Sequence, residues 1–233
     1  MSTFRVIADR EIRLALRNRS IFITAVIFAI WFPVMSAFGV AAGAGGDAAA
    51  LAAGIAAIIL LIGVFMGYIF CADAFLREKR DGTIETLLCT PVSLRRLWEG
   101  KAAGVAVPAY LMTLVSAAVT IAVVSTLTGA PVAAEPLLLL HLAVIVPVWV
   151  VASAGLIGAA QLVLGMRENQ ILGFVFIFGF FFLIFGLQEV AAGGPGISLV
   201  TEGILAVAGV ALVALARFIA GKVTKERVVL TIP

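Results

Sequence analysis

A phosphate-binding loop needs Gly-Lys followed by Ser or Thr, so that backbone amides and the lysine cradle the phosphates while the hydroxyl holds a metal ion. The two Gly-Lys steps of this chain, Gly100-Lys101 and Gly221-Lys222, run on into Ala102 and Val223, so neither reads as an ATP site. There is no G-x-S-x-G elbow to present a nucleophilic serine and no H-E-x-x-H pair to hold zinc. Cys71, Cys89 and the single His141 do not make up a metal-ligand set. An intramembrane enzyme would need ionisable groups buried at matched depths. The centres of the apolar runs instead offer Thr113, Ser116, Thr120, Ser153 and Gln161, groups that either join helices across an interface or touch a substrate. His141, near the outer end of the fourth run, reads as an interfacial or packing residue. The chain is therefore expected to be non-catalytic, with no cofactor and no metal of its own.

The elements around these residues are set by composition. With 63% hydrophobic residues, 12% charged residues and a mean hydropathy of +1.20, the chain lies far from a soluble domain, in which roughly a quarter of residues are charged. A membrane-spanning helix takes about 20 apolar residues, and six runs qualify: Ile21–Val40, Leu51–Ala72, Ala102–Leu127, Leu137–Leu164, Ile171–Leu187 and Ile204–Ala216, the last extended by Leu199–Gly203. The expected fold is an all-α integral membrane protein with six transmembrane helices, one transmembrane domain over residues 1–233. Within it, spans one and two occupy 21–72, a cytoplasmic loop 73–101, spans three to six 102–221 and a tail 222–233.

All 16 Lys and Arg fall on one side of this arrangement. They lie before Ile21 (Arg5, Arg10, Arg13, Arg17, Arg19), between spans two and three (Arg77, Lys79, Arg80, Arg95, Arg96, Lys101), between four and five (Arg167), and after six (Arg217, Lys222, Lys225, Arg227). The opposite loops carry Asp47, Glu135, Glu189 and Glu202. The positive-inside rule then places both termini in the cytoplasm and the chain in the inner membrane. The net charge of +3 reflects contact with an anionic lipid leaflet, with no nucleic-acid partner. Cys71 and Cys89 sit on the reducing side, where disulfides rarely persist. A basic N-terminus before an apolar run also fits a secretory signal, with Ala41-Ala42-Gly43-Ala44 as a small-residue cleavage site. A run of about 20 residues exceeds a signal's apolar region, however.

Residues 3–18 form an amphipathic helix suited to the membrane interface: Phe4, Ile7, Ala8, Ile12, Leu14, Ala15 and Leu16 share one arc, opposite Arg5, Arg10, Arg13 and Arg17. Glu11 points into the apolar arc, where an ionised carboxylate is costly without a cation beside it. A partner from the basic loop between spans two and three is expected.

That loop is the one soluble-looking feature with room for another protein. Asp81-Gly82 makes a turn, Thr83 can cap a short helix with Glu85 in its first turn, and Ile84, Leu87 and Leu88 give it an apolar stripe. Pro91 ends it and Ser93 caps the next helix, which runs through Lys101 into span three. The stripe either presses into a groove on a cytoplasmic partner or folds back on the bilayer surface.

The stretch Glu78-Lys79-Arg80-Asp81-Gly82-Thr83-Ile84-Glu85-Thr86-Leu87-Leu88, followed by Pro91-Val92-Ser93 and Gly100-Lys101, resembles the first cytoplasmic loop of the type 2 family of ABC transporter permeases, in the pattern E-x-x-x-G-T-x-E-x-L-L-x-x-P-V-S. Glu11, the turn Arg167-Glu168-Asn169-Gln170 and the ending Lys225-Glu226-Arg227-Val228-Val229-Leu230 are similar to that family too. The resemblance implies the type V exporter fold, with residues 3–18 as an elbow helix and Thr83–Thr90 as a coupling helix seated in a separate ABC ATPase. It also implies that ATP and Mg bind on that partner, and that a second permease copy completes a two-plus-two complex. Glu78, Gly82, Thr83, Glu85, Leu87, Leu88 and Pro91 are the residues it assigns to coupling. The connection from Leu187 to Thr201 is short and Gly-rich, where many relatives carry longer outer elements, so it leaves the outer gate and the cargo open among drugs, peptides, lipids, heme and sodium.

Span five holds seven Phe within Phe174–Phe185, and Phe174, Phe178, Phe181, Phe182 and Phe185 fall close to one helical face. That face contacts lipid and neighbouring helices, which explains much of it, or forms an aromatic wall for an apolar substrate; the resemblance, which sets spans two and five beside the central path, adds weight to the second and leaves both open. Gly39/Gly43, Gly63/Gly67 and Gly100/Gly104 have the G-x-x-x-G spacing that can seat a facing helix, but 23 glycines in the chain produce such pairs by chance. The competing class is a membrane-embedded enzyme or assembly factor without ATP coupling. A channel is a third, disfavoured by the lack of a polar stripe along any span.

Overall fold

A computed structural model describes residues 3–83, 92–129, 135–191 and 197–224, together with Glu226 and Val228. Among these residues it is all-helical, with seven helices: α1 Thr3–Arg17, α2 Arg19–Gly43, α3 Ala48–Arg80, α4 Leu94–Thr128, α5 Pro136–Val163, α6 Met166–Ala191 and α7 Leu199–Lys222. Five of them, α2, α3, α4, α5 and α7, are long and apolar enough to cross a membrane. The sequence predicts a sixth crossing, and its apolar run Ile171–Leu187 lies within the 26-residue α6.

The helices begin and end where local chemistry dictates. Asp47 caps α3 by accepting the amide of Ala49 at 3.0 Å, Ser93 caps α4 through Arg96 at 3.4 Å, and Ser198 caps α7 through Thr201 at 3.1 Å; each satisfies an amide that the helix cannot. Pro136 opens α5 at a position where its missing N–H costs nothing. Within α5, His141–Ile145 widen into a π-helical turn just before Pro147, a local irregularity of the kind that marks functional or strained positions.

α3 is the centre of the bundle, with Ile55, Ile59, Leu60, Ile62 and Met66 fully buried and α4 and α5 packed along it. α2 turns a stripe of small residues inward, Ala25, Ala29, Pro33 and Ala37, while Ile23, Ile27, Ile30 and Trp31 face out. Large apolar groups outside and small ones between helices is the pattern of packing in lipid, where close backbone approach replaces the hydrophobic drive.

Polar contacts gather one end of each long helix with α1. Lys79 near the end of α3 donates to the carbonyls of Leu162 and Leu164 at the end of α5, at 3.3 and 2.9 Å. Arg217 near the end of α7 reaches Glu99 at the start of α4 at 2.9 Å, and Asn18, between α1 and α2, donates to both carboxylate oxygens of Asp73 on α3 at 3.3 Å. This basic end holds the residues expected to work.

Candidate functional site

Glu11 lies on the inner face of α1 with 1% of its surface exposed. Its Oε1 is 3.0 Å from Nζ of Lys101 on α4, and the same Nζ is 2.9 Å from Oε1 of Glu78 on α3. The third ammonium hydrogen has a partner as well, the carbonyl of Ala74 at 3.0 Å, so all three donors of the lysine are committed. Arg10 closes the cluster from its half-exposed position, 3.5 Å from Glu78 and 3.9 Å from Glu11. Two carboxylates and two cations balance, which is the condition for ionised groups to persist in a water-poor setting. Lys101 lies, as expected, on the helix that Ser93 caps, and only 1% of its surface is exposed. Ser93 starts α4 two turns earlier and draws Lys101 under α1.

Two glycines make that approach possible. A Cβ on Gly100 would stand 2.8 Å from Ile7 Cγ2, and one on Gly104 would stand 2.7 Å from Glu11 Cβ and 2.8 Å from the Ala8 carbonyl. The spacing that recurs by chance in so Gly-rich a chain has a definite use here: it is the seat of α1. Gly63 and Gly67 do the same for α5, against Val150 and Ser153, whereas Gly39 and Gly43 meet nothing among the described residues.

The cluster stands at the foot of the segment expected to meet an ATPase. α3 leaves the bundle through Asp81, and Gly82 turns the chain with φ +66°, a left-handed conformation that favours glycine. The Thr83 hydroxyl donates to the Glu78 carbonyl at 3.4 Å. Glu85, Leu87, Leu88 and Pro91 lie outside the described residues, and the chain resumes at Val92. Glu78 belongs to the base of this segment and faces inward, buried against Lys101.

Compared with protein families, residues 1–225 match the model described as CcmB protein. The chain belongs to the CcmB family. It is accordingly an ABC transporter permease of the type 2 family and a multi-pass membrane protein, with CcmA as the ATPase of the system. No curated protein matches it significantly.

In this CcmB-family chain the five phenylalanines share the exposed side of α6: Phe174, Phe178, Phe181, Phe182 and Phe185 point away from the bundle, while Phe176 and Phe180 face inward, Phe176 stacking on Tyr68 and Phe180 meeting Trp149 edge-on. The hydroxyls of Thr113, Ser116, Thr120 and Ser153 donate to carbonyls of their own helices, those of Ala109, Met112, Ser116 and Val150. They do not bridge helices through these hydrogens, because the carbonyl one turn back in the same helix has a second lone pair within easy reach.

Sequence reasoning missed a second buried ionisable pair. Glu202, counted with the outer loops although inside the Leu199–Gly203 extension of span six, sits in the first turn of α7, and His141 is completely buried, the packing alternative of the two expected for it. Nδ1 of His141 lies 3.0 Å from both carboxylate oxygens of Glu202. Its Nε2 has no partner among the described residues. The signal was present as an ionisable residue inside an apolar run, but the two residues are 61 apart in sequence.

Proposed function

We propose that this chain is the heme-export permease of a CcmAB transporter, lying in the inner membrane with both termini in the cytoplasm and acting as one of two permease copies beside CcmA subunits that bind and hydrolyse ATP with Mg. α6 serves as the sixth crossing: its 26 residues amount to about 39 Å of helix at about 1.5 Å per residue, more than the roughly 30 Å of a hydrocarbon core. The helix expected at Thr83–Thr90 docks in CcmA. Closure of the ATP-bound CcmA pair then favours an outward-facing permease, and hydrolysis restores the inward one, by population shift.

One observation carries this reading beyond the family match. The helices on either side of the coupling segment, α3 and α4, are pinned to each other and to α1 by a single buried lysine. A push on the segment therefore cannot be absorbed by sliding these helices apart; it moves all three as one body. The exposed phenylalanine side of α6 supplies an apolar wall that suits a flat macrocycle crossing between two permease copies.

The test is heme-stimulated ATP hydrolysis by the complex reconstituted with CcmA. Leu87→Asp and Gly82→Pro should abolish it while membrane insertion stays normal; hydrolysis and export at wild-type levels in either variant would refute the coupling assignment. Phe178→Ala with Phe182→Ala should change heme export without changing copurification of CcmA. Unaltered export would remove the aromatic wall from the path.

A further inference from the structure

A slot opens at the basic end between α4, α5 and α7, with a volume of about 260 Å³ and walls that include Phe4, Trp98, Ala103, Val151 and Val213. At Arg217 it meets a shallower groove of about 550 Å³ along the outside of α4 and α7, bordered by Arg95, Phe218 and Lys222. The groove carries three cations. Among the described residues Glu99 is the one carboxylate paired with them, 3.3 Å from Arg95 and 2.9 Å from Arg217, so a positive excess remains at the rim. Lys222 lies over the Phe218 ring at 4.3 Å, which holds its ammonium at the groove.

We propose that this slot and groove bind an anionic inner-leaflet phospholipid, one acyl chain in the slot and the phosphate against Arg95, Arg217 and Lys222. The assignment rests on the orientation proposed above, which sets the groove at the cytoplasmic surface. Basic pockets between spanning helices on that side recognise anionic headgroups, and each Lys or Arg there adds electrostatic attraction. At about 260 Å³ the slot is below the roughly 300–1,000 Å³ of sites that enclose a whole small molecule, so it is too small to enclose a macrocycle and takes one end of an acyl chain. A lipid seated there touches α1 through Phe4, α4 through Trp98 and α7 through Val213, and ties the elbow to the bundle.

The experiment is native mass spectrometry of the intact complex with CcmA, released from nanodiscs of phosphatidylglycerol and phosphatidylcholine with identical acyl chains. Phosphatidylglycerol should be retained in preference, and Arg95→Gln and Lys222→Gln should each weaken that retention about fivefold. Ala103→Phe, which fills the slot without altering charge, should abolish it. Equal retention of the two lipids, or selectivity unchanged in the charge variants, would overturn the proposal. So would hemin binding that depends on Arg95 and Lys222 in the absence of phosphatidylglycerol selectivity, since the groove would then be a substrate portal. Heme-stimulated ATP hydrolysis in the same nanodiscs keeps the two ideas apart: its absence with lipid selectivity intact counts against the proposed function and leaves this site standing.

Discussion

The cluster of Glu11, Lys101, Glu78 and Arg10 at the basic end and the pair of His141 and Glu202 near the opposite end both bury carboxylates, and they compensate them differently. In the cluster the lysine spends all three hydrogens and two cations meet two anions. In the pair one imidazole nitrogen serves both oxygens of a single carboxylate, and the other nitrogen is left without a partner among the described residues. A saturated network holds its three helices in one arrangement, since any displacement strands a charge where water cannot reach it. A pair with an unused nitrogen holds two helices with less at stake. The end expected to receive a mechanical stroke is thus the stiffly wired one, and the far end, where α5 widens into its π-helical turn, is the more yielding.

The sharpest way to break this contrast is Lys101→Met. It leaves Glu11 and Glu78 facing each other without the cation between them, and removal of one member of a buried ionic group costs about 3–5 kcal/mol. Thermal unfolding of the purified permease in nanodiscs reads the loss. Converting Glu11, Glu78 and Lys101 together to leucine should recover most of that stability, because apolar replacement of a whole buried network is often neutral. It should not recover heme-stimulated ATP hydrolysis. Recovery of both would mean that packing alone transmits the stroke.

Much of the architecture could be read from local signals. Runs of apolar residues, capping residues such as Ser93 and the turn at Gly82 are written within a few positions of where they act. The helical period puts Glu11 among apolar residues, and the cost of burying a carboxylate demands a cation nearby. Six basic residues between the second and third runs meet that demand equally on paper; the close approach of α1 to Gly100 and Gly104 is what selects Lys101. The pairing of His141 with Glu202 is hidden from the sequence for the same reason. Their partnership depends on how α5 and α7 pack, a long-range fact that no window of sequence contains. The segment 84–91, with Leu87 and Leu88, lies outside the described residues, so its docking rests on motif and family.

The glycine seats sharpen the comparison at the next level of cost. Gly104→Val drives side-chain atoms into Glu11 Cβ and the Ala8 carbonyl, which are already 2.7–2.8 Å from an added Cβ. Overpacking of this kind costs about 1–3 kcal/mol. Gly39→Val, at a glycine with nothing nearby, should leave the unfolding temperature within error of wild type. Equal effects at the two sites would show that α1 is not seated as described.

Smaller effects separate the two ionic sites. Glu202→Gln keeps an oxygen to accept from His141 Nδ1, so the loss should stay near 1 kcal/mol, the usual worth of one hydrogen bond; a loss as large as that of Lys101→Met would mean that the pair is as tightly wired as the cluster. Arg10→Gln should cost least. Its side chain is 49% exposed, and ion pairs screened by water are worth about 0–1 kcal/mol. Because Lys101 already gives Glu11 and Glu78 a hydrogen each, the loss of Arg10 unbalances the charge without leaving either carboxylate unbonded. Raising the salt concentration should shrink the difference between Arg10→Gln and wild type while leaving the Lys101→Met deficit unchanged, since mobile ions screen the exposed guanidinium and cannot reach the buried ammonium. A Lys101→Met deficit that also faded with salt would place water inside the cluster and remove the physical basis for its rigidity.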